Sequence, residues 1–155
     1  MHIDHYLGTW ELVPELSLYE TGTPPACGRY TIAESAPGVL TLHVRWQTEP
    51  DGPVHEVAFG GQADGTPHVL PALPDAPAHG PDAHTLTRVD AHTLDSAALA
   101  HGVVIASARR VASKDGALLA VVQEQTDVTG RRTRNFQVYR RIASGSAAAI
   151  SGQML

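Results

Sequence analysis

Short stretches of alternating apolar and polar residues, punctuated by Gly and Pro about every ten residues, dominate the chain and predict strands rather than helices. The clearest stretch is 39–48. There Leu40, Leu42, Val44 and Trp46 fall on one face, and Thr41, His43, Arg45 and Gln47 on the other. The same pattern predicts about ten strands, at 8–13, 28–33, 39–48, 54–59, 68–70, 84–89, 93–99, 103–112, 117–126 and 132–141. Pro14 ends the first, because it cannot donate a ladder hydrogen bond. Gly60-Gly61 lets the fourth bend.

Turn signals separate these strands: Pro50-Asp51-Gly52-Pro53, Ala63-Asp64-Gly65-Thr66, Lys114-Asp115-Gly116 and Thr129-Gly130. Residues 71–82 are rich in Pro, Ala and Gly and predict a surface loop, the candidate for a lid. Nearly every connection is a hairpin, so the fold class is all-β, an up-and-down antiparallel β-barrel. Closing such a meander removes its exposed edges, and a barrel of this strand number is wider than its side chains fill. Residues 1–143 are expected to form the barrel and 144–155 a Ser/Ala/Gly-rich tail.

The chain has 155 residues, enough for one domain with a core. A formal net charge of −5 argues against nucleic acid as a partner, although basic residues gather late, at Arg109-Arg110 and from Arg131 to Arg141. No apolar run approaches the length of a membrane helix, and 1–5 lack the core of a signal peptide, so a cytoplasmic protein without a membrane partner is expected. Cys27 is the only cysteine and is read as a small packed side chain. The nine histidines lack metal-site spacing, so no metal is expected, and no cofactor is called for. There is no Gly-x-Ser-x-Gly elbow and no Gly-rich phosphate loop.

Leu7-Gly8-Thr9-Trp10-Glu11-Leu12 resembles the Gly-x-Trp opening of the calycins, the lipocalin and fatty-acid-binding-protein superfamily. Val138-Tyr139-Arg140-Arg141 resembles the closing strand of fatty-acid-binding proteins and of small bacterial lipocalin-like proteins, whose turns Ala63-Asp64-Gly65 and 112–116 also look like. The resemblance covers 7–142 and implies a basic side chain from the last strand, Arg141 or Arg140, stacked on Trp10 to seal one end. In fatty-acid-binding proteins an Arg-x-Tyr pair on that strand holds a carboxylate. Matching the Tyr to Tyr139 puts Gln137 at the Arg position, and Gln donates a hydrogen bond but cannot neutralise a carboxylate. The Pro-rich connection after the first strand does not suit the helical pair that caps those barrels, so the lipocalin-like pattern fits better.

The expected function is binding of a small hydrophobic ligand in the cavity. Leu40, Leu42, Val44, Trp46, Leu118 and Val122 would supply apolar wall. Gln137, Tyr139 and Arg109 would orient a polar group; Arg109 and Arg110 are adjacent, so one of them points inward on a regular strand. On the last strand Asn135, Gln137 and Tyr139 oppose Phe136 and Val138; the family match turns the polar set inward, whereas alternation alone allows either. An alternative is acid–base or isomerase-type catalysis by Glu124 and Tyr139 in the same barrel. A third is a filled core serving as an interaction module, and a homodimer is compatible with each.

Overall fold

The structure, a computed structural model, describes residues 3–70 and 80–143. The tail at 144–155, and residues 71–79 of the expected lid, lie outside the described residues.

Among the described residues eleven strands form one antiparallel sheet: β1 (Gly8–Leu12), β2 (Leu18–Tyr19), β3 (Cys27–Ala36), β4 (Val39–Gln47), β5 (His55–Gln62), β6 (His68–Val69), β7 (Ala83–Asp90), β8 (Thr93–Ala100), β9 (Val103–Ala112), β10 (Leu118–Thr126) and β11 (Arg132–Ile142). The sheet order is β5-β4-β3-β1-β11-β10-β9-β8-β7-β6. From β3 to β5 and from β6 to β11 each strand therefore pairs with the next in sequence, β2 pairs with β11 off this path, and β1 joins β3 to β11 through pairs such as Trp10 with Arg141. The result is a nearly closed up-and-down barrel.

The remaining seam lies between β5 and β7. It is bridged where Gly65 N donates to Leu86 O at 2.7 Å and Arg88 N to Ala63 O at 3.1 Å. His84 Nε2 adds a side-chain bond of 2.9 Å to Gly60 O. Gly60-Gly61 does more than permit a bend, since a Cβ at Gly60 would stand 2.3 Å from Leu40 O. β5 accordingly continues through both glycines rather than ending at 59.

One element departs from the expected set. After β1 the chain makes a short 3-10 turn, Pro14–Leu16, and β2 resumes pairing with β11 opposite Asn135 and Phe136. Ser17 Oγ spans the interruption: it donates to Val13 O at 3.0 Å and accepts from Val138 N at 3.1 Å. Proline stops the ladder, and a hydroxyl takes over its hydrogen bonding.

One half of the barrel is packed solid. Tyr6, Trp10, Ile32, Leu42, Leu86, Leu94, Leu119 and Val121 are fully buried there. The N-terminal segment crosses this closed end. Tyr6 donates its hydroxyl to Asp4 Oδ2 at 2.8 Å, Arg88 grips the same carboxylate through Nε and Nη2, and His5 stacks on His92 with ring centroids 4.2 Å apart. Arg141 lies over the Trp10 ring at 4.2 Å, so it is Arg141, not Arg140, that forms the seal. Arg140 points outward to Glu11. No helix among the described residues is long and apolar enough to cross a membrane.

Candidate functional site

Above the packed half the barrel is hollow. A cavity of about 620 Å³ opens at the end formed by the β4–β5, β8–β9 and β10–β11 turns. Its size falls in the range of small-molecule sites. One wall is apolar: Val44 and Trp46 from β4 face Val57 and Phe59 from β5. Small residues, Ser96 and Ala98 of β8 with Ala106 and Ala108 of β9, make a second wall and leave the space open. A third wall, from β10 and β11, carries Gln123, Gln125, Asn135 and Gln137.

At the bottom of the cavity sits Arg110, with only 3 % of its surface exposed. Its Nε donates to Tyr30 Oη at 2.7 Å and its Nη1 to Ser96 Oγ at 3.0 Å. The guanidinium also lies against the Tyr30 and Phe59 rings, at 5.6 and 6.0 Å from their centroids. Hydroxyls and ring faces solvate the ion in part. Among the described residues no carboxylate pairs with it. A buried guanidinium without a counter-anion is costly, and an anion entering the cavity would be drawn to it.

Beside Arg110 runs a polar chain. Tyr139 donates its hydroxyl to Gln137 Oε1 at 2.9 Å; Gln137 Nε2 donates to Tyr19 Oη and, at 3.4 Å, to Gln123 Oε1. The Tyr139 ring meets Tyr30 edge to face at 5.6 Å. Burial pushes the Tyr139 phenol well above the ordinary tyrosine value, with Tyr30 and Tyr19 adding to the rise and Arg110 opposing it. Burial also raises Tyr19, against the hydrogen bond from Gln137. These groups are neutral hydrogen-bonding partners near neutral pH.

The structure sorts the residues expected from sequence into three places. Val44, Trp46, Gln137 and Tyr139 line the cavity. Leu40 and Leu42 share that inward face but lie in the packed core beneath it. Leu118, Val122 and Arg109 are corrected: they occupy the outer face, with Leu118 and Val122 42 % and 43 % exposed and Arg109 held by Asp95 through two bonds of 2.8 Å. The inward residues of β10 are Leu119, Val121 and Gln123, and the inward arginine of β9 is Arg110.

Glu124 takes an outward register position at the lip of the barrel and is paired with Arg132 at 2.9 Å. It borders the same cavity as Tyr139, but Tyr139 pairs Leu119, on the inward face of that ladder, and no hydrogen bond links the two side chains. Tyr30, Phe59 and Tyr19 join the site without being among the residues expected from sequence, and of the adjacent pair Arg109 and Arg110 it is Arg110 that points inward. Strand parity could have found Arg110: Tyr139 pairs Leu119, Leu119 pairs Ala112, and Ala112 shares a face with Arg110. Among the described residues no three His, Cys, Asp or Glu side chains gather as a metal site. Cys27 donates to Gln47 Oε1 at 3.3 Å, consistent with a packed strand residue.

No family model matches the sequence, and comparison with curated proteins finds no match. Solved structures do match. An extracellular fatty-acid-binding protein aligns with a TM-score of 0.50 at 13 % identity, over 90 % of this chain and 98 % of that one. The zebrafish ileal bile-acid-binding protein in complex with cholic acid also gives a TM-score of 0.50, at 10 % identity, over 89 % of this chain and 99 % of its own. A redesigned β-barrel aligns with a TM-score of 0.50 at 13 % identity, over 90 % and 93 % of the two chains. At these identities the likeness is one of fold: an up-and-down β-barrel like those of the fatty-acid-binding and bile-acid-binding proteins.

Proposed function

We propose that the barrel binds a small, largely apolar molecule bearing an anionic group, with the anion at Arg110 and the apolar body against Val44, Trp46, Val57 and Phe59. The observation that carries this reading is the buried Arg110 guanidinium, which has hydroxyl and ring partners but no carboxylate among the described residues. A cation held in a site of low dielectric favours an anionic guest. Structures of the same fold include a fatty-acid-binding protein and a complex with cholic acid, both concerned with apolar acids, which supports the reading. The catalytic alternative has less support: Glu124 and Tyr139 both line the cavity, but Glu124 takes an outward register position at its lip and is paired with Arg132 at 2.9 Å.

Titration with 8-anilinonaphthalene-1-sulfonate, followed by its fluorescence, tests the proposal against the uncharged N-phenyl-1-naphthylamine. The anionic probe should bind more tightly. Arg110→Met should weaken it by about 10- to 100-fold, the loss of one or two charge-assisted bonds, and leave the neutral probe nearly unchanged. Equal binding of the two probes, or an unchanged Kd in Arg110→Met, would overturn it.

A further inference from the structure

The outer face of β10 departs from the usual exterior of a barrel. Where β4 turns Thr41, His43 and Arg45 outward, β10 turns Leu118, Ala120 and Val122 outward. The ladder extends this apolar set sideways. Val111 of β9 pairs with Ala120, Phe136 of β11 pairs with Val122, and Leu18 of β2 pairs with Phe136. All of them except Ala120 are exposed, from 36 % at Phe136 to 71 % at Leu18. A strand that is apolar on both faces buries only one of them inside its own barrel.

These side chains present about 400 Å² of continuous apolar surface, close to the apolar share of a standard interface of about 800 Å² per partner. Ion pairs stand at both ends of the patch. Arg140 with Glu11 lies toward the closed end of the barrel, and Arg132 with Glu124 and Arg134 with Glu20 lie toward the open end. An apolar centre inside a charged rim is the anatomy of a protein interface. The signs of the rim choose the partner. Each end carries both signs, so a partner of one sign, such as a nucleic acid or an anionic bilayer, would be repelled at the rim as well as attracted. A second copy is matched instead. A two-fold axis lying across the strands sets Arg140 of one copy toward the Glu20 and Glu124 carboxylates of the other, and Glu11 toward Arg132 and Arg134.

We infer that two copies of this chain pack against each other through the outer face of β9, β10, β11 and β2. Ala120, Val122 and Phe136 form the centre of the contact. Leu118 stands at its edge beside Arg140, where truncation costs little. The face lies outside the barrel wall, so the inference is independent of what the cavity binds.

Sedimentation velocity of the whole chain tests it. The mass should rise with concentration from 16.4 kDa to twice that value, with half the chains paired at or below about 10 μM. Val122→Glu/Phe136→Glu places like charges at the centre and should weaken pairing at least about 100-fold, whereas Thr41→Glu on the outer face of β4 should leave it unchanged. Methyl NMR of the unaltered protein reads the same face without a substitution. Raising the concentration should shift Val111 and Val122 and leave Val69, 87 % exposed on β6, in place. A monomer up to about 1 mM overturns the inference, whether the face is then open to solvent or covered by residues 144–155 of the same chain. Pairing that survives the double variant, or that moves Val69 and not Val122, overturns it too.

Discussion

Arg141 lies 4.2 Å over the ring of Trp10, and Gly8 is the residue that leaves it room. The guanidinium also donates to Leu7 O and Gly116 O, each at 2.7 Å, tying the first strand, the last strand and the β9–β10 turn into one seal. A Cβ on Gly8 would stand 2.3 Å from Arg141 Nη1, and its φ of +138° lies where side chains are strained. Gly8→Ala should therefore destabilise the fold by about 1–3 kcal/mol, read as a lower urea midpoint with an unchanged slope. A variant as stable as the parent would contradict the seal.

The inward register of β10 makes a sharp contrast between neighbours. Leu119 is fully buried, whereas Leu118 is 42 % exposed on the outer face. Leu119→Ala should cost about 2–5 kcal/mol, and Leu118→Ala should stay within about 0.5 kcal/mol of the parent. Chemical denaturation of the pair checks it, and the reverse order would mean that β10 is flipped.

That flip marks the boundary of what the sequence disclosed. Hairpins and strands were legible because Gly positions such as Gly116 fall between stretches of period two, and the meeting of β1 with β11 followed from closure. The facing of β10 was not, because both of its faces are apolar: Leu118, Ala120 and Val122 on one, Leu119 and Val121 on the other. Alternation carries no information when both sets match. Arg109 and Arg110 posed the same problem, and Asp95, which decides it by binding Arg109, lies on the neighbouring strand. β2 escaped notice because two residues show no period, and its stabilisation comes from Ser17 and β11.

At the closed end Asp4 accepts from both Tyr6 and Arg88. Asp4→Ala takes the acceptor from the buried Tyr6 hydroxyl and should cost about 1–3 kcal/mol. Tyr6→Phe removes the phenol oxygen itself and should cost less. Thermal unfolding of both variants gives the order; a milder effect from Asp4→Ala would contradict the arrangement.

Alkali should expose the buried phenols. Tyr6 and Tyr139 are both held above the ordinary tyrosine value, in each case mainly by burial, with the Asp4 carboxylate adding to the rise at Tyr6. Protons bound in the folded state are then lost first by the unfolded one. The stabilisation is complete below about pH 10 and fades as pH climbs from there toward the raised folded values. Urea midpoints should fall steadily above about pH 10. Tyrosinate absorbance should show fewer than the four tyrosines titrating before the fold opens. All four ionising together in the folded protein would contradict the burial.

Arg110 and Arg109 are adjacent in sequence and lie on opposite sides of the barrel wall, which makes each a control for the other. Following both Nε resonances by ¹⁵N NMR while 8-anilinonaphthalene-1-sulfonate is added therefore tests the inward cation most directly. The Arg110 signal should move and saturate together with the Trp46 indole, while Arg109 stays fixed on Asp95. Movement of Arg109 alone, or of neither arginine as the probe binds, would contradict an anion site inside the barrel.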